Sequence, residues 1–225
     1  MTGNLVNAFA ILLGGILGIL FKSRIPERIN FIMIEGLALG VFVYGISEGI
    51  KMNNPLIIFI SLGVGAIIGE LIDIESKLNN LGEFFQCKMK NSKNVAQGFV
   101  SSSLLFCVGA MAIMGALQSG LQGKHDILLA KSFLDGTMSV IFATTMGVGV
   151  LLSAVTVFIY QGIIIILSGY LKPLLSSGVI NEMTAVGGIL IAGIGINLLG
   201  MKKLKLGNLL PALFIPIIIH ILFPF

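Results

Sequence analysis

A chain of 225 residues that is 56% hydrophobic and only 11% charged, with a mean hydropathy of +1.04, excludes an ordinary water-soluble domain, where about a quarter of residues carry charge. Lipid is the solvent that suits such a surface, and lipid admits only helices and closed barrels, because every backbone polar group needs an internal partner. The net charge of +4 does not point to nucleic acid, since the basic residues sit in short segments between apolar runs, the cytoplasmic-loop bias of membrane proteins.

The apolar runs are long and continuous rather than short and alternating, which excludes a barrel and predicts an all-α polytopic transmembrane bundle. In chain order the spans are predicted at 3–22, 30–50, 55–73, 96–118, 128–151, 153–171, 183–200 and 207–224, each near the roughly 20 residues that a bilayer requires. The first is not expected to be a cleaved signal: Met1-Thr2-Gly3-Asn4 offers no basic start, and Lys22, Ser23 and Arg24 close the run like a stop-transfer flank. The fifth and sixth runs are nearly continuous around Leu152-Ser153. One broken helix there would lower the count to seven, but the combined length is about twice what one crossing needs.

Loop charge tests the count. With the N-terminus outside, the cytoplasmic side holds Lys22, Arg24, Arg28, Lys77, Lys88, Lys90, Lys93, Lys202, Lys203 and Lys205, and the outer side holds Lys51, Lys124, Lys131 and Lys172, ten against four. Seven spans would make the split seven against seven. Eight spans in the cell membrane, with both termini outside, are therefore expected. Between the third and fourth spans, residues 74–95 place Leu78, Leu81, Phe85 and Met89 at helical spacing with Lys77, Asn80, Glu83 and Lys88 between them. This predicts an amphipathic helix on the cytoplasmic surface, most simply a structural tie between two halves.

Two halves are visible as a repeat. Gly3–Gly14 (GNLVNAFAILLG) parallels Gly98–Gly109 (GFVSSSLLFCVG), and Glu35-Gly36 parallels Asp135-Gly136. Units at 3–73 and 96–171, with 183–224 as two additional spans, would each hold three crossings. An odd number inverts the second copy, a recurrent transporter plan with the working site at the repeat interface. The competing explanation is that Gly-rich apolar helices resemble one another by composition.

Asp135 and Glu35 are the leading site candidates, because an ionisable group inside a span is costly unless it meets a partner or a cavity. The competing reading is local: Asp135 pairs only with Lys131 one turn earlier, and Glu35 caps its helix or pairs near Arg28. Gln161, Ser102, Thr144 and Asn197 are the uncharged pathway candidates, accompanied by Asn4, Asn7, Ser101, Ser103 and Ser132. The plainer reading makes such groups interhelical glue or partners of their own helix carbonyls. Glu48 and Glu70 read as interface residues, and Glu182 as a helix-start acid. Gly14/Gly18, Gly36/Gly40 and Gly65/Gly69 are small-residue pairs that let helix backbones approach. Pro211 and Pro216 punctuate the last span. Cys87, Cys107, His125 and His220 are too isolated for a disulfide or metal centre, no cofactor is expected, and no enzyme motif is present.

The run 99–120 (FVSSSLLFCVGAMAIMGALQSG), with Lys131–Gly136 (KSFLDG), Tyr160-Gln161-Gly162, Glu182–Gly188 (EMTAVGG), Gly3–Asn7 and Gly69–Glu75, resembles the bacterial membrane family catalogued as domain of unknown function number 554. The resemblance covers essentially the whole chain and implies an integral membrane protein. It implies no substrate, but Lys131, Asp135, Gln161 and Glu182 fall in its motifs. The expected function is a small transporter or channel for an ion or small polar solute, gradient-driven where active. The alternative is a membrane subunit that binds a partner protein or small ligand without its own transport cycle. The expected partners are the bilayer, the solute and a second copy in a homo-oligomer, with no nucleic acid.

Overall fold

The structure is a computed structural model and describes residues 1–22, 26–80 and 95–223. Among these residues there is no strand. The helices are α1 (Thr2–Lys22), α2 (Glu27–Gly49), α3 (Pro55–Ile72), α4 (74–80), α5 (Val95–Cys107), α6 (Ala110–Gln122), α7 (Asp126–Met146), α8 (Gly149–Ile166), α9 (Ser168–Leu171) and α10 (Ser177–Leu198). A 3₁₀ segment, Leu206–Phe214, then leads into α11 (Ile215–Leu222). Most of the expected amphipathic linker, with Cys87, lies outside the described residues.

Helix ends follow local chemistry. Asn54 caps α3 by accepting from the Leu56 N–H at 3.0 Å, with Pro55 behind it. Ser176 caps α10 by accepting from Val179 N–H at 3.3 Å, which starts that helix at Ser177 rather than at 183. The division between α7 and α8 falls at Gly147, with φ 76°, and not at Leu152-Ser153. The two are separate helices, each long and apolar enough to cross a membrane.

The fourth span differs most from expectation. It is broken between Cys107 and Ala110, and its two halves bend by 61°. Gly109 sits at φ 117°, a conformation that only glycine takes without strain. Hydropathy registers no such break, because apolar residues continue on both sides.

Among the described residues six helices are long and apolar enough to span, or up to seven if the bent pair α5–α6 is one span. The expected eighth, 207–224, is the Leu206–Leu222 run, whose first nine residues are 3₁₀ with Pro211 inside. Proline removes a donor that an α-helix would use. A 3₁₀ helix rises about 2.0 Å per residue against about 1.5 Å in an α-helix. Nine residues of the first kind and eight of the second therefore reach about 30 Å, the thickness of a hydrocarbon core.

The chain forms two compact units. In unit 1 (Met1–Met33, Leu78–Cys107, Met111–Gly169), α1 packs lengthwise on α7 and also on α8. Gly3 meets Leu128, Gly14 meets the Gly136 carbonyl and Gly18 meets the Val140 carbonyl, so α1 and α7 run parallel. Asn4 bonds Phe158 and Gly15 meets Leu151, so α8 runs the other way. Gly149, at the start of α8, touches Val95, and Gly120, near the end of α6, touches Ser168 just past its end. The bent α5–α6 pair therefore follows α8 from one end to the other.

In unit 2 (Ile34–Lys77, Val108–Ala110, Tyr170–Phe225), α10 is the most enclosed of the candidate spans, with 78% of its apolar window buried. Gly45 and Gly49 of α2 pack against Ala192 and Ile189, and Gly195 packs on Phe42, antiparallel. Gly65 and Gly69 of α3 pack on Ala212 and Asn208, again antiparallel. Ile58, Ala185, Val186 and Ala212 form a core cluster. Gly36 and Gly40 do not pack as expected, since nothing described lies within 4 Å of a Cβ built at either. At 100° per residue, Gly36 stands on the opposite side of α2 from Gly45, and Gly40 from Gly49.

Candidate functional site

The charged centre of unit 1 stands on α7. Asp135 is the tenth residue of the 21-residue helix, at its middle. It is 5% exposed and Lys131 is 6% exposed. Lys131 Nζ donates to Asp135 Oδ1 at 2.8 Å, and Asn7 Nδ2, reaching across from α1, donates to Oδ2 at 3.0 Å. An interior this dry does not shelter a lone carboxylate. Here a full positive charge and an amide answer it.

A second polar level lies beside the first. Asn4 is one turn before Asn7 on the same face of α1, and its Nδ2 donates to the Phe158 carbonyl of α8 at 2.9 Å. Gln161 follows Phe158 by one turn. It is fully buried, and neither its Oε1 nor its Nε2 finds a hydrogen-bond partner among the described residues. The Oδ1 atoms of Asn4 and Asn7 are also buried without a partner. At the end of α5, Cys107 lies within electrostatic reach of Lys131 and Asp135, and Tyr160 within reach of Cys107. The cluster is thus built on α1, α7 and α8, with α5 beside it.

The other expected site residues stand elsewhere. Ser102 donates to its own helix at the Gly98 carbonyl, 2.6 Å, and Thr144 does the same to Ile141 at 2.6 Å. Glu35 and Asn197 belong to unit 2. Glu35 is half-buried and bonds no described residue. The Asn197 amide closes a turn, donating to the Leu204 carbonyl at 2.9 Å and accepting from its N–H at 2.8 Å. Asn7 was visible in the sequence only as a polar residue in an apolar helix. Its spacing of three from Asn4, which puts both on one face, is the signal for a partner.

Glu182 takes a different role from a helix-start acid. It lies inside α10, fully buried, and its Oε1 accepts from Asn53 N–H at 3.0 Å and Asn54 N–H at 2.8 Å. It therefore caps the start of α3 and leaves its Oε2 without a partner. Glu48 is buried and pairs with Lys51. Glu70 receives Lys205 Nζ and Asn208 Nδ2. Among the described residues no group of three or more His, Cys, Asp or Glu side chains is placed to hold a metal ion.

Long helices with outward faces such as Leu71 (83% exposed), Phe133 (77%) and Ile166 (69%), enclosing a buried charged pair, define a multi-pass α-helical membrane protein. The chain belongs to the family described as "Protein of unknown function (DUF554)", which matches residues 2–221. It is 33% identical over 220 residues to the uncharacterized membrane protein YdfK of Bacillus subtilis (strain 168), covering 96% of this chain and 94% of that one. It is likewise 33% identical over 217 residues to the uncharacterized protein YqgA of Escherichia coli (strain K12), covering 94% and 92%. No solved structure matches it.

Proposed function

We propose that the protein is a small transporter or channel that passes an ion or small polar solute through unit 1, at the Asn7–Lys131–Asp135 triad. The carrying observation is a buried ion pair at mid-helix on α7, with Gln161, unpartnered at both ends among the described residues, on the adjoining α8. Intramembrane ionisable residues of this kind mark solute and ion paths. Lys131 and Asp135 are joined by flexible side chains, so the pair can open and reclose around a passing group.

The topology in this reading has eight crossings with both termini outside. In support, α1 and α7 run parallel while α8 runs against them, as spans one, five and six must. The ten-to-four loop charge split points the same way. A Lys203→Cys variant in a cysteine-free background tests it, since labelling by an impermeant reagent on intact cells overturns the orientation. The inverted relation of 3–73 to 98–171 belongs to the same reading. With α5–α6 counted once, each holds three crossings, which fits two opposed copies.

Purified protein in liposomes decides the function. Flux above protein-free vesicles, lost in Asp135→Asn while helicity and elution volume stay unchanged, is the expected result. Absence of flux for every ion and polar solute tried, with a soluble ATPase co-purifying, would transfer the protein to the membrane-subunit class.

A further inference from the structure

Every charge in the α1–α7–α8 cluster is answered from within. Lys131 and Asp135 are both almost wholly buried and bond each other at 2.8 Å, so the pair carries no net charge. What remains is hydrogen-bonding capacity. Asn4 Oδ1, Asn7 Oδ1 and Gln161 Oε1 are free acceptors, and Gln161 Nε2 is a free donor.

The two asparagine oxygens are free for a chemical reason. Asn4 Nδ2 faces the Phe158 carbonyl, and Asn7 Nδ2 faces the Asp135 carboxylate. Turning either amide over would set two acceptors against each other. The two asparagine acceptors are therefore fixed by their partners, and the fully buried Gln161 adds one acceptor oxygen and the two N–H donors of its amide.

A buried polar group without a partner is costly, and a solute with both donors and an acceptor relieves that cost. Amide oxygens also coordinate alkali cations, but here the Lys131 ammonium and the unpartnered Gln161 Nε2 belong to the same cluster and oppose one. The one carboxylate is already bound by a tethered ammonium, and an added positive charge would sit unanswered where charge is expensive. We propose that the cluster selects a small uncharged solute bearing N–H or O–H groups, of the urea, amide or polyol class, over Na⁺, K⁺ or protons. The protein then moves its solute without moving net charge. This inference rests on the transport reading above.

The experiment uses the full chain in liposomes, with two readouts on the same preparation. Stopped-flow light scattering follows swelling in urea, acetamide or glycerol. A voltage-sensitive dye follows charge movement under Na⁺, K⁺ and pH gradients. The expected result is entry of at least one of the three solutes about tenfold or more faster than into protein-free vesicles, with the dye silent. Gln161→Met should remove the acceleration, and Gln161→Asn, which keeps the amide, should remove less of it. A dye response that Asp135→Asn abolishes, without solute-dependent swelling, overturns the inference and leaves transport standing. Silence in both readouts from protein that elutes and folds normally overturns the transport reading itself. The wild-type solute profile is decisive even if a variant fails to fold.

Discussion

Asp135 in unit 1 and Glu182 in unit 2 are both buried deeply enough to need an answer, and the two answers differ. In unit 1, Asp135 is met by a whole charge on a flexible stem, Lys131, and by the side-chain amide of Asn7. In unit 2, Glu182 is met by two backbone amides, Asn53 and Asn54, at the start of α3, where the helix end supplies about half a positive charge. The first arrangement is made only of side chains and can be rearranged at the cost of rotamers. The second is tied to the backbone and cannot move without moving α3. Under the proposed function, Asp135 belongs to the working part of the molecule and Glu182 to its frame.

The largest effect should come from breaking the first answer. Lys131→Met leaves Asp135 charged and buried, which should cost about 3–5 kcal/mol, whereas replacing both members, Lys131→Met with Asp135→Leu, should recover most of that loss. Chemical unfolding in detergent micelles reads both, and liposome flux should stay absent in the double variant. A double variant as unstable as the single one would mean that the pair is structural.

The second answer predicts a smaller loss with a different signature. Glu182→Ala removes two charge-assisted hydrogen bonds and should cost about 2–3 kcal/mol. Glu182→Gln keeps an oxygen for Asn53 and Asn54, and it should cost about 1 kcal/mol or less. Flux should survive in Glu182→Gln. If Gln proves as damaging as Ala, the charge facing the helix end matters more than the bonds, and loss of flux without loss of stability would erase the contrast between the units.

Packing sharpens the comparison one step further down. A Cβ on Gly14 would fall on the Gly136 carbonyl, whereas nothing described stands near Gly36. Gly14→Ala should destabilise by about 1–3 kcal/mol through overpacking. Gly36→Ala should be neutral or stabilise by up to about 1 kcal/mol, because alanine is the better helix former. Melting temperatures of the two variants in the same micelle check this.

These contrasts also show what the sequence discloses. Run length and helical spacing are local properties, so the helical class, most of the spans and the pairing of Asp135 with Lys131 one turn earlier were legible. Gly14/Gly18, Gly36/Gly40 and Gly65/Gly69 share one spacing, yet only the first and third pairs pack, since the phase of a helix relative to its neighbours is not written in its own residues. Asn7 as the partner of Asp135, and Glu182 as the cap of α3, join positions more than 120 residues apart. The α5–α6 break depends on one backbone angle at Gly109. That Ser102 and Thr144 bond their own helix carbonyls was not legible, because a hydroxyl's choice between its own helix and a neighbour is made only on folding.

The smallest effect is expected where a charged pair is exposed. Lys205 and Glu70 meet at 2.7 Å, but their side chains are 60% and 58% exposed, and Glu70 keeps Asn208 as a second partner. The Glu70 carboxylate, first by hydrogen bond and then by charge, holds the Lys205 ammonium above the usual lysine range. A raised lysine contributes stability that is fully present below its unfolded pKa and is lost only as pH rises through the folded value. From pH 5 to 9 the contact is therefore constant. Lys205→Gln should leave the melting temperature unchanged across that range at 0.15 M salt, where screening acts over about 8 Å. The buried pair should respond in the opposite manner. The penalty of Lys131→Met should persist as salt is raised toward 1 M, because ions screen buried charges far less than exposed ones. Melting both variants across a salt series makes the test. Equal and equally salt-sensitive losses would mean that burial is not what distinguishes Lys131–Asp135 from an ordinary surface contact.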